Sequence, residues 1–425
     1  MASFFIPLTG LEADSTALNT IANDLSNMNT TAFKGQSANF SDLFYQQIGS
    51  AGSGDPVQVG AGTQVASIST DFTQGSINST GAATDVALNG NGFFVVNNGG
   101  VSDYTRAGNF SLDASGNLIT QSGQSVMGYP AVNGVVNTNS PLSRISIPVG
   151  QVEPPKATTT MNMTANLNAT STAGTTVPGQ VTVYDSLGVS HIATVTYTQT
   201  GTNTWNYSVA LPASAFTSGT STPVTGSMTF DSSGNLASVT PAGGVAQTVG
   251  TAAGDISQIP LSFTGLADGA ANLSVQWNLL GTSGTPTISQ VAASSAVSAT
   301  TQNGYESGQY QSFTIASDGT VSATFSNGQQ LAVGQLALAN VTNVQGLRML
   351  GDGNYATTMA SGAASVGTSG TAGLGTLQDG ALEESNVNIS AEFSNLIIAQ
   401  RAFEANSKAV TTFDTVTQET INMIH

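Results

Sequence analysis

Apolar residues keep two rhythms along this chain, a step near seven at both ends and a step of two almost everywhere between. From Thr9 to Met28 the positions Leu11, Leu18, Ile21, Leu25 and Met28 advance by three, four and seven, which puts them on one stripe of a helix. Thr9 and Glu12 have capping-box spacing and predict where that helix starts. At the other end Ile389, Leu396, Phe403, Val410 and Ile424 share one seven-spaced register, flanked by Phe393, Ala399, Phe413 and Ile421. Residues 389–424 contain neither Gly nor Pro, so one helix of about 50 Å is feasible, capped by Asn388 or Ser390.

The middle of the chain reads as β structure. Val, Thr, Tyr and Phe alternate with polar residues between the turn signals Asn91-Gly92, Asn133-Gly134, Asp318-Gly319 and Asn327-Gly328. A half-buried hairpin is predicted from Phe313 to Phe325, with Phe313 and Ile315 on one face and Val321, Ala323 and Phe325 returning after Asp318-Gly319. Pro154-Pro155 and Ala292 to Thr301 lack periodicity and read as hinges around an inserted domain. The expected divisions are a terminal helical domain (1–35 plus 386–425), a connecting segment with a hairpin (36–71), an inner β domain (72–155 plus 301–385) and an outer β domain (156–300). The fold class is α+β, mainly β.

A short helix with one apolar face needs a partner, and the stretch from Gly49 to Gly62 reads as too flexible and polar to serve. The other terminal helix is the obvious candidate. Periodicity alone favours an intramolecular helical hairpin over a seam that recruits neighbouring subunits.

Composition narrows the function. Only 7% of the 425 residues are charged, the formal net charge is −17, and no Lys or Arg lies between Lys156 and Arg348. A phosphate backbone or an anionic membrane surface finds no counter-charge there. A neutral, hydrogen-bonding surface of this kind can pack against copies of itself. With no cysteine there are no disulfides, thiolate metal sites or thiol nucleophiles. The start of the chain has an apolar Phe4-Phe5-Ile6 without a basic residue ahead of it, so a cleaved general secretory signal is not expected.

Candidate chemistry is sparse. His191 and His425 are the only histidines, and a satisfied or exposed imidazole is the expectation for each. Asp113-Ala114-Ser115-Gly116-Asn117-Leu118 and Asp231-Ser232-Ser233-Gly234-Asn235-Leu236 form a short repeat that resembles part of a calcium loop but lacks its further carboxylates. Tight β-turns capped by the Asp explain it more simply. Gly90 and Gly92 suit a hairpin rather than a phosphate loop, because neither a helix nor a basic residue follows directly. No catalytic set, metal site or cofactor is expected.

Two long motifs point to a family. Ile21-Ala22-Asn23-Asp24-Leu25-Ser26-Asn27-Met28-Asn29-Thr30-Thr31-Ala32-Phe33-Lys34 resembles the N-terminal signature of flagellar rod, hook and hook-associated proteins. Glu384 to Phe393, continuing through Ala399-Gln400-Arg401-Ala402-Phe403-Glu404-Ala405-Asn406-Ser407-Lys408, is similar to the matching C-terminal signature. Ala32 stands where the family usually has Gly, and Phe403 where Tyr is common. Leu88 to Val96 and Thr105 to Phe110 resemble segments shared by rod and hook members. Val183-Tyr184-Asp185-Ser186-Leu187-Gly188 with His191, Thr202 to Trp205, and Phe325 to Gln329 with Gly334 to Leu338 resemble hook members in particular.

The resemblance implies a non-catalytic subunit of a flexible, curved extracellular tube that transmits motor torque from rod to filament around a central export channel. Its terminal helices pair as an inner coiled coil, and its β domains stack outward. Implied partners are further copies of the chain, the distal rod protein, the hook cap protein, the hook-filament junction protein and the flagellar type III export apparatus, through which the chain leaves uncleaved. The seam residues are then Leu11, Leu18, Ile21, Leu25, Met28, Ile389, Leu396, Phe403, Val410 and Phe413, with Arg401 joining them through the Ala-Gln-Arg motif. Phe40 and Phe44 become a recognition element for the export gate, against a bland reading as two residues of a short helix packed in the core. Other readings are a distal rod or junction protein, a secreted β-rich adhesin, which leaves the terminal helices unexplained, and a polysaccharide-acting enzyme, for which acidic residues are too few.

Overall fold

The computed structural model describes residues 5–50 and 56–423. The chain divides into two compact units, Met1–Val149 with Ser312–Thr324 and Gln330–His425, and Gly150–Gln311 with Phe325–Gln329.

In the first unit the chain opens with helix α1 (Phe5–Ser26) and closes with helix α2 (Ile389–Met423). The capping box does not form. Thr9 lies inside α1, where its hydroxyl donates to the Ile6 carbonyl at 2.8 Å and accepts the Thr63 amide at 3.3 Å. Helix α2 starts as expected, with Asn388 Oδ1 accepting the amides of Ser390 (3.1 Å) and Ala391 (3.2 Å). Ile424 and His425 lie outside the described residues, as does Phe4.

The stretch after α1 is more ordered than its composition suggests. Strand Gln36–Asp42 pairs antiparallel with Thr63–Thr70, and Gln46–Ser50 pairs with Pro56–Val59. The first of these pairs packs against α1, so the helix has a local partner besides α2. Residues 51–55 lie outside the described residues.

The β body of this unit is a largely antiparallel sheet in which Gln330–Leu336, Ser125–Val132, Phe93–Asn98, Val101–Thr105, Asn354–Ala356 and Arg348–Gly351 are successive neighbours. Phe72, Phe93 and Tyr355 form an aromatic triangle in its core, with ring centroids 5.5 to 5.9 Å apart. Strands from opposite ends of the chain interleave, Val86–Asn89 with Thr376–Asp379 and Ile77–Ser79 with Ala381–Glu383. Asn133 and Gly134 both take positive φ, 50° and 77°, which is the demand of a tight hairpin that Asn-Gly meets at little cost. The hairpin around Asp318-Gly319 forms as predicted, with Phe313, Ile315, Val321, Ala323 and Phe325 all buried.

The second unit has two sheets around one core. Thr176–Tyr184, Ser190–Gly201, Thr204–Ala210, Val224–Phe230, Leu236–Pro241 and Gln247–Thr248 follow one another as an antiparallel meander. The other sheet centres on Thr160–Asn166, which runs parallel to Leu273–Asn278 and Ile288–Ser289. Burial alternates strictly along Thr176–Tyr184 and along most of Ser190–Gly201, the period of two seen in sequence. Trp277 sits fully buried between Tyr207 (5.7 Å) and Tyr197 (6.2 Å).

One expected hinge is a strand. Ala296–Gln302 pairs antiparallel with Thr160–Asn166. It escaped detection because both faces of this strand are mostly exposed, so Ser, Ala and Thr carry no alternation.

Candidate assembly interface

The ends of the chain are locked together by a buried ionic cluster. Glu383 lies one residue before the C-terminal motif. It accepts Lys34 Nζ at 2.6 Å and the Gly75 amide at 2.9 Å on Oε1, and Arg106 Nε at 3.1 Å on Oε2. Lys34 Nζ also donates to the Thr73 carbonyl at 2.7 Å, and Arg106 Nη1 donates to the carbonyls of Gly90 (2.7 Å) and Gly92 (2.9 Å). Burial lowers the Lys34 ammonium below its ordinary value, and Glu383 opposes that by holding it charged. Asn386 adds polar staples, accepting the Gly35 amide at 2.8 Å and donating to the Asp71 carbonyl at 2.8 Å. These contacts fix where both helices leave the β body. Sequence spacing missed the cluster, although basic residues are so scarce that Phe33-Lys34 and Arg106 inside apolar motifs were its available signal.

Helices α1 and α2 pack antiparallel. Asn406 presses against Gly10 and donates to Asp14 Oδ2 at 2.8 Å, and a methyl group on Gly10 would collide with that amide. Asp24, nearer the end of α1, lies within the field of Glu392 in the first turn of α2. Asp24 is almost fully buried, and its Oδ2 accepts the Gln36 amide at 2.7 Å while Oδ1 has no hydrogen-bond partner among the described residues. Burial, with added repulsion from Glu392, pushes its carboxyl up to about 6.

This private contact uses small residues and leaves most of the large ones out. The buried positions of α1 are Pro7, Gly10, Ala13, Thr20, Ile21 and Asp24, and the only buried position of α2 is Ala399. Among the predicted seam residues Ile21 is buried, and Leu11, Leu18, Leu25, Leu396 and Val410 are half-buried. Met28, Ile389, Phe403 and Phe413 are exposed. Phe393, Ile397, Ile398, Val416, Ile421 and Met423 are exposed too. The pairs Gly10 with Asn406 and Asp24 with Glu392 set a register in which Phe5 falls opposite about Thr411. From Thr411 to Met423 every side chain of α2 is exposed.

Arg401 points to solvent and pairs with Glu404 at 3.1 Å, the two side chains being 79% and 64% exposed. Phe40 and Phe44 are not on a helix and not in the core. Phe40 lies on strand Gln36–Asp42 and Phe44 on the connection after it, where it is 93% exposed. The two Asp repeats are turns, as expected. Asp113 Oδ1 accepts the amides of Ser115 and Asn117, and Asp231 Oδ1 those of Ser233 and Asn235, while each Oδ2 accepts the side-chain amide of the Asn. Those hydrogen bonds hold both carboxyls below the ordinary range.

Three family models match the chain. They are described as the flagellar basal body protein FlaE D2 domain over residues 151–305, the flagellar hook protein FlgE/F/G D1 domain over 87–183 and the flagellar basal body rod FlgEFG protein C-terminal over 378–423. Flagellar hook protein FlgE of Escherichia coli is 34% identical over 441 residues, covering 99% of this chain and 100% of the relative. Flagellar hook protein FlgE of Salmonella typhimurium is 35% identical over 439 residues, with 99% and 100% covered. Among solved structures, the Helicobacter pylori flagellar hook protein FlgE2 matches with a TM-score of 0.53 at 15% identity, covering 72% of this chain and 99% of its own.

Proposed function

The chain belongs to the flagellar hook protein family, and from that premise we propose that its exposed helical stripes are the surface on which copies of it polymerise. It is a structural subunit of the flagellar hook of the basal body. The observation that carries the polymerisation reading is the overhang of α2, where Phe413, Val416, Ile421 and Met423 keep from 36% to 79% of their surface exposed within the described residues of one chain. A patch of this kind on a family of self-assembling proteins calls for a neighbour. Terminal helices of many copies form a closed wall around a central export channel, with residues 72–155 and 301–385, and then 156–300, carried outward. The low charge of the β units then has a use. Neutral surfaces exchange hydrogen bonds as the curved tube rotates more readily than fixed ion pairs do.

The same reading gives the chain its partners: further copies, the distal rod protein, the hook cap protein, the hook-filament junction protein and the type III export apparatus. Phe44, with its ring almost wholly in solvent, suits recognition by the export gate, as does the half-exposed Phe40.

Electron microscopy of the full chain beside one ending at Val410 tests the polymerisation reading. The shorter chain keeps the Asn406 latch and the Glu383 cluster, so its β units are expected to fold while tubes disappear. Normal tubes from the shorter chain would falsify the proposal. For the gate, Phe44→Ala is expected to reduce export of a folded, assembly-competent chain, and unchanged export would leave that residue without the role.

A further inference from the structure

Three turns in this chain share one design, and the third departs from it in an informative way. Asp113 and Asp231 each give Oδ1 to two backbone amides and Oδ2 to an Asn four residues on. Asp185 likewise accepts the Leu187 amide at 2.8 Å and the Val189 amide at 3.0 Å on Oδ1, across a turn in which Gly188 takes φ 85°. Position 189 is Val, so no amide side chain reaches Oδ2. Instead Oδ2 faces His191 Nε2 at 2.7 Å.

A second carboxylate arrives from elsewhere. Asp268, on the connection between Gln258–Phe263 and Leu273–Asn278, gives Oδ1 to the Ala270 amide at 3.0 Å and holds Oδ2 3.8 Å from His191 Nε2. Ser186 Oγ accepts the Ala271 amide at 3.0 Å and ties that connection to the Asp185 turn. One donor atom from each of Asp185, His191 and Asp268 therefore lies within 4.8 Å of the other two. Each carboxylate has one oxygen fixed by backbone and the other aimed at the imidazole, which is the outer-shell anchoring that ligands of an ion require. Ligand atoms at about 2.0–2.2 Å from one tetrahedral ion stand about 3.3–3.6 Å apart, and 2.7 and 3.8 Å bracket that spacing.

Charge and access fit as well. Asp185 is fully buried, the His191 side chain is 9% exposed and that of Asp268 23%. Lys156 is the only Lys or Arg between residues 150 and 311, and among the described residues no Lys or Arg forms a salt bridge with either of the two converging carboxylates. His191 and Asp268 open onto a cavity of about 820 Å³ that also exposes Ser190, Ser214 and Gln180, leaving room for water in further coordination positions.

We propose that Asp185 Oδ2, His191 Nε2 and Asp268 Oδ2 bind a first-row divalent transition ion, with Zn²⁺ as its type, which clamps the 264–272 connection to the 185–190 turn. One imidazole nitrogen with two carboxylate oxygens suits such an ion better than Mg²⁺ or Ca²⁺, which take oxygen alone. On binding, the ion replaces the proton between His191 and Asp185, and any proton on Nε2 passes to solvent.

Calorimetric titration of Zn²⁺ into the full, chelator-stripped chain is expected to show one site and a raised melting temperature. His425→Ala should keep both. Asp268→Asn, at the most exposed of the three ligands, should weaken binding by about 10- to 100-fold or more while leaving the metal-free melting curve in place. His191→Gln should do the same where it folds, and Asp268→Asn decides the matter where it does not. A wild-type chain that takes up no Zn²⁺, or an Asp268→Asn chain that binds it as wild type does, would overturn the site.

Discussion

Trp277 and Phe413 are both large apolar side chains, and they meet opposite conditions. Trp277 is fully buried in residues 150–311, held edge-on by Tyr197 and Tyr207 in a core to which both sheets contribute. Phe413 lies on the stretch from Thr411 to Met423, the exposed end of α2, and keeps 36% of its own surface in solvent. One region completes its burial within a single chain. The other keeps part of its apolar surface exposed, and its two helices meet at contacts that include Gly10 against Asn406 and the Asn406–Asp14 hydrogen bond. A subunit must remain soluble before it polymerises, and this division allows it.

The largest effect should come from the finished core. Trp277→Ala removes a fully buried ring and is expected to cost about 4–5 kcal/mol, read as a lower denaturant midpoint for residues 150–311. Helical-end assembly should survive wherever that unit is still folded. If tubes vanish while the unit is intact, the two regions do not divide folding and assembly between them.

Next comes the lock beneath the helices. Glu383→Gln leaves Lys34 and Arg106 buried without their carboxylate, at an expected cost of about 3–4 kcal/mol in equilibrium unfolding of the first unit. Replacing Lys34 and Glu383 together by Met and Gln should recover part of that loss. A Glu383→Gln chain as stable as wild type would mean that the cluster does not hold the chain ends.

The elements that sequence pattern revealed and those it hid divide along physical lines. The alternation in Ser190–Gly201 and the Gly-free run of α2 were legible because period and composition are local properties. Three kinds of feature were not. Ala296–Gln302 lacks a buried face to betray it, and Thr9 matched a capping box although α1 begins earlier. The Glu383 cluster and the trio of Asp185, His191 and Asp268 depend on residues that only the folded topology brings together. The seam was half legible. The heptad stripe is divided, with Ile21 and the half-buried Leu11, Leu18, Leu25, Leu396 and Val410 covered in one chain and Met28, Ile389, Phe403 and Phe413 exposed, while Gly10 and Ala13 carry little hydrophobic signal.

Asp24 offers a smaller, pH-dependent test of how the two helices meet. Its carboxyl is raised from 3.8 to about 6 by burial and by Glu392, so the folded chain holds this proton more tightly than the unfolded one. The stability it contributes therefore appears as pH falls through about 6 and is complete below its ordinary value of 3.8; above 6 the ionised group is a cost. Asp24→Asn keeps an acceptor for the Gln36 amide and removes the charge. At pH 7 the variant should be more stable by about 1 kcal/mol after allowance for solvent screening, with the difference vanishing toward low pH. Urea titrations of both chains across that range check it, and a variant that is weaker at neutral pH would reverse the assignment.

Arg401 should matter least to the isolated chain and most to the contrast between the regions. Its side chain is 79% exposed and among the described residues pairs with Glu404, three residues on along the same helix. Arg401→Glu should cost the monomer no more than about 0.5 kcal/mol, within the reach of a careful melting curve. On a surface that serves only solvation, nothing further would follow. If α2 is instead the wall of a polymer, Arg401 lies one turn after the exposed Ile397 and beside its neighbours' helices, where a reversed charge is desolvated against them at every repeat. Sedimentation and electron microscopy should then find a folded monomer that forms no tubes. Tubes of normal length from Arg401→Glu would remove this residue from the seam while leaving the apolar overhang to carry assembly alone.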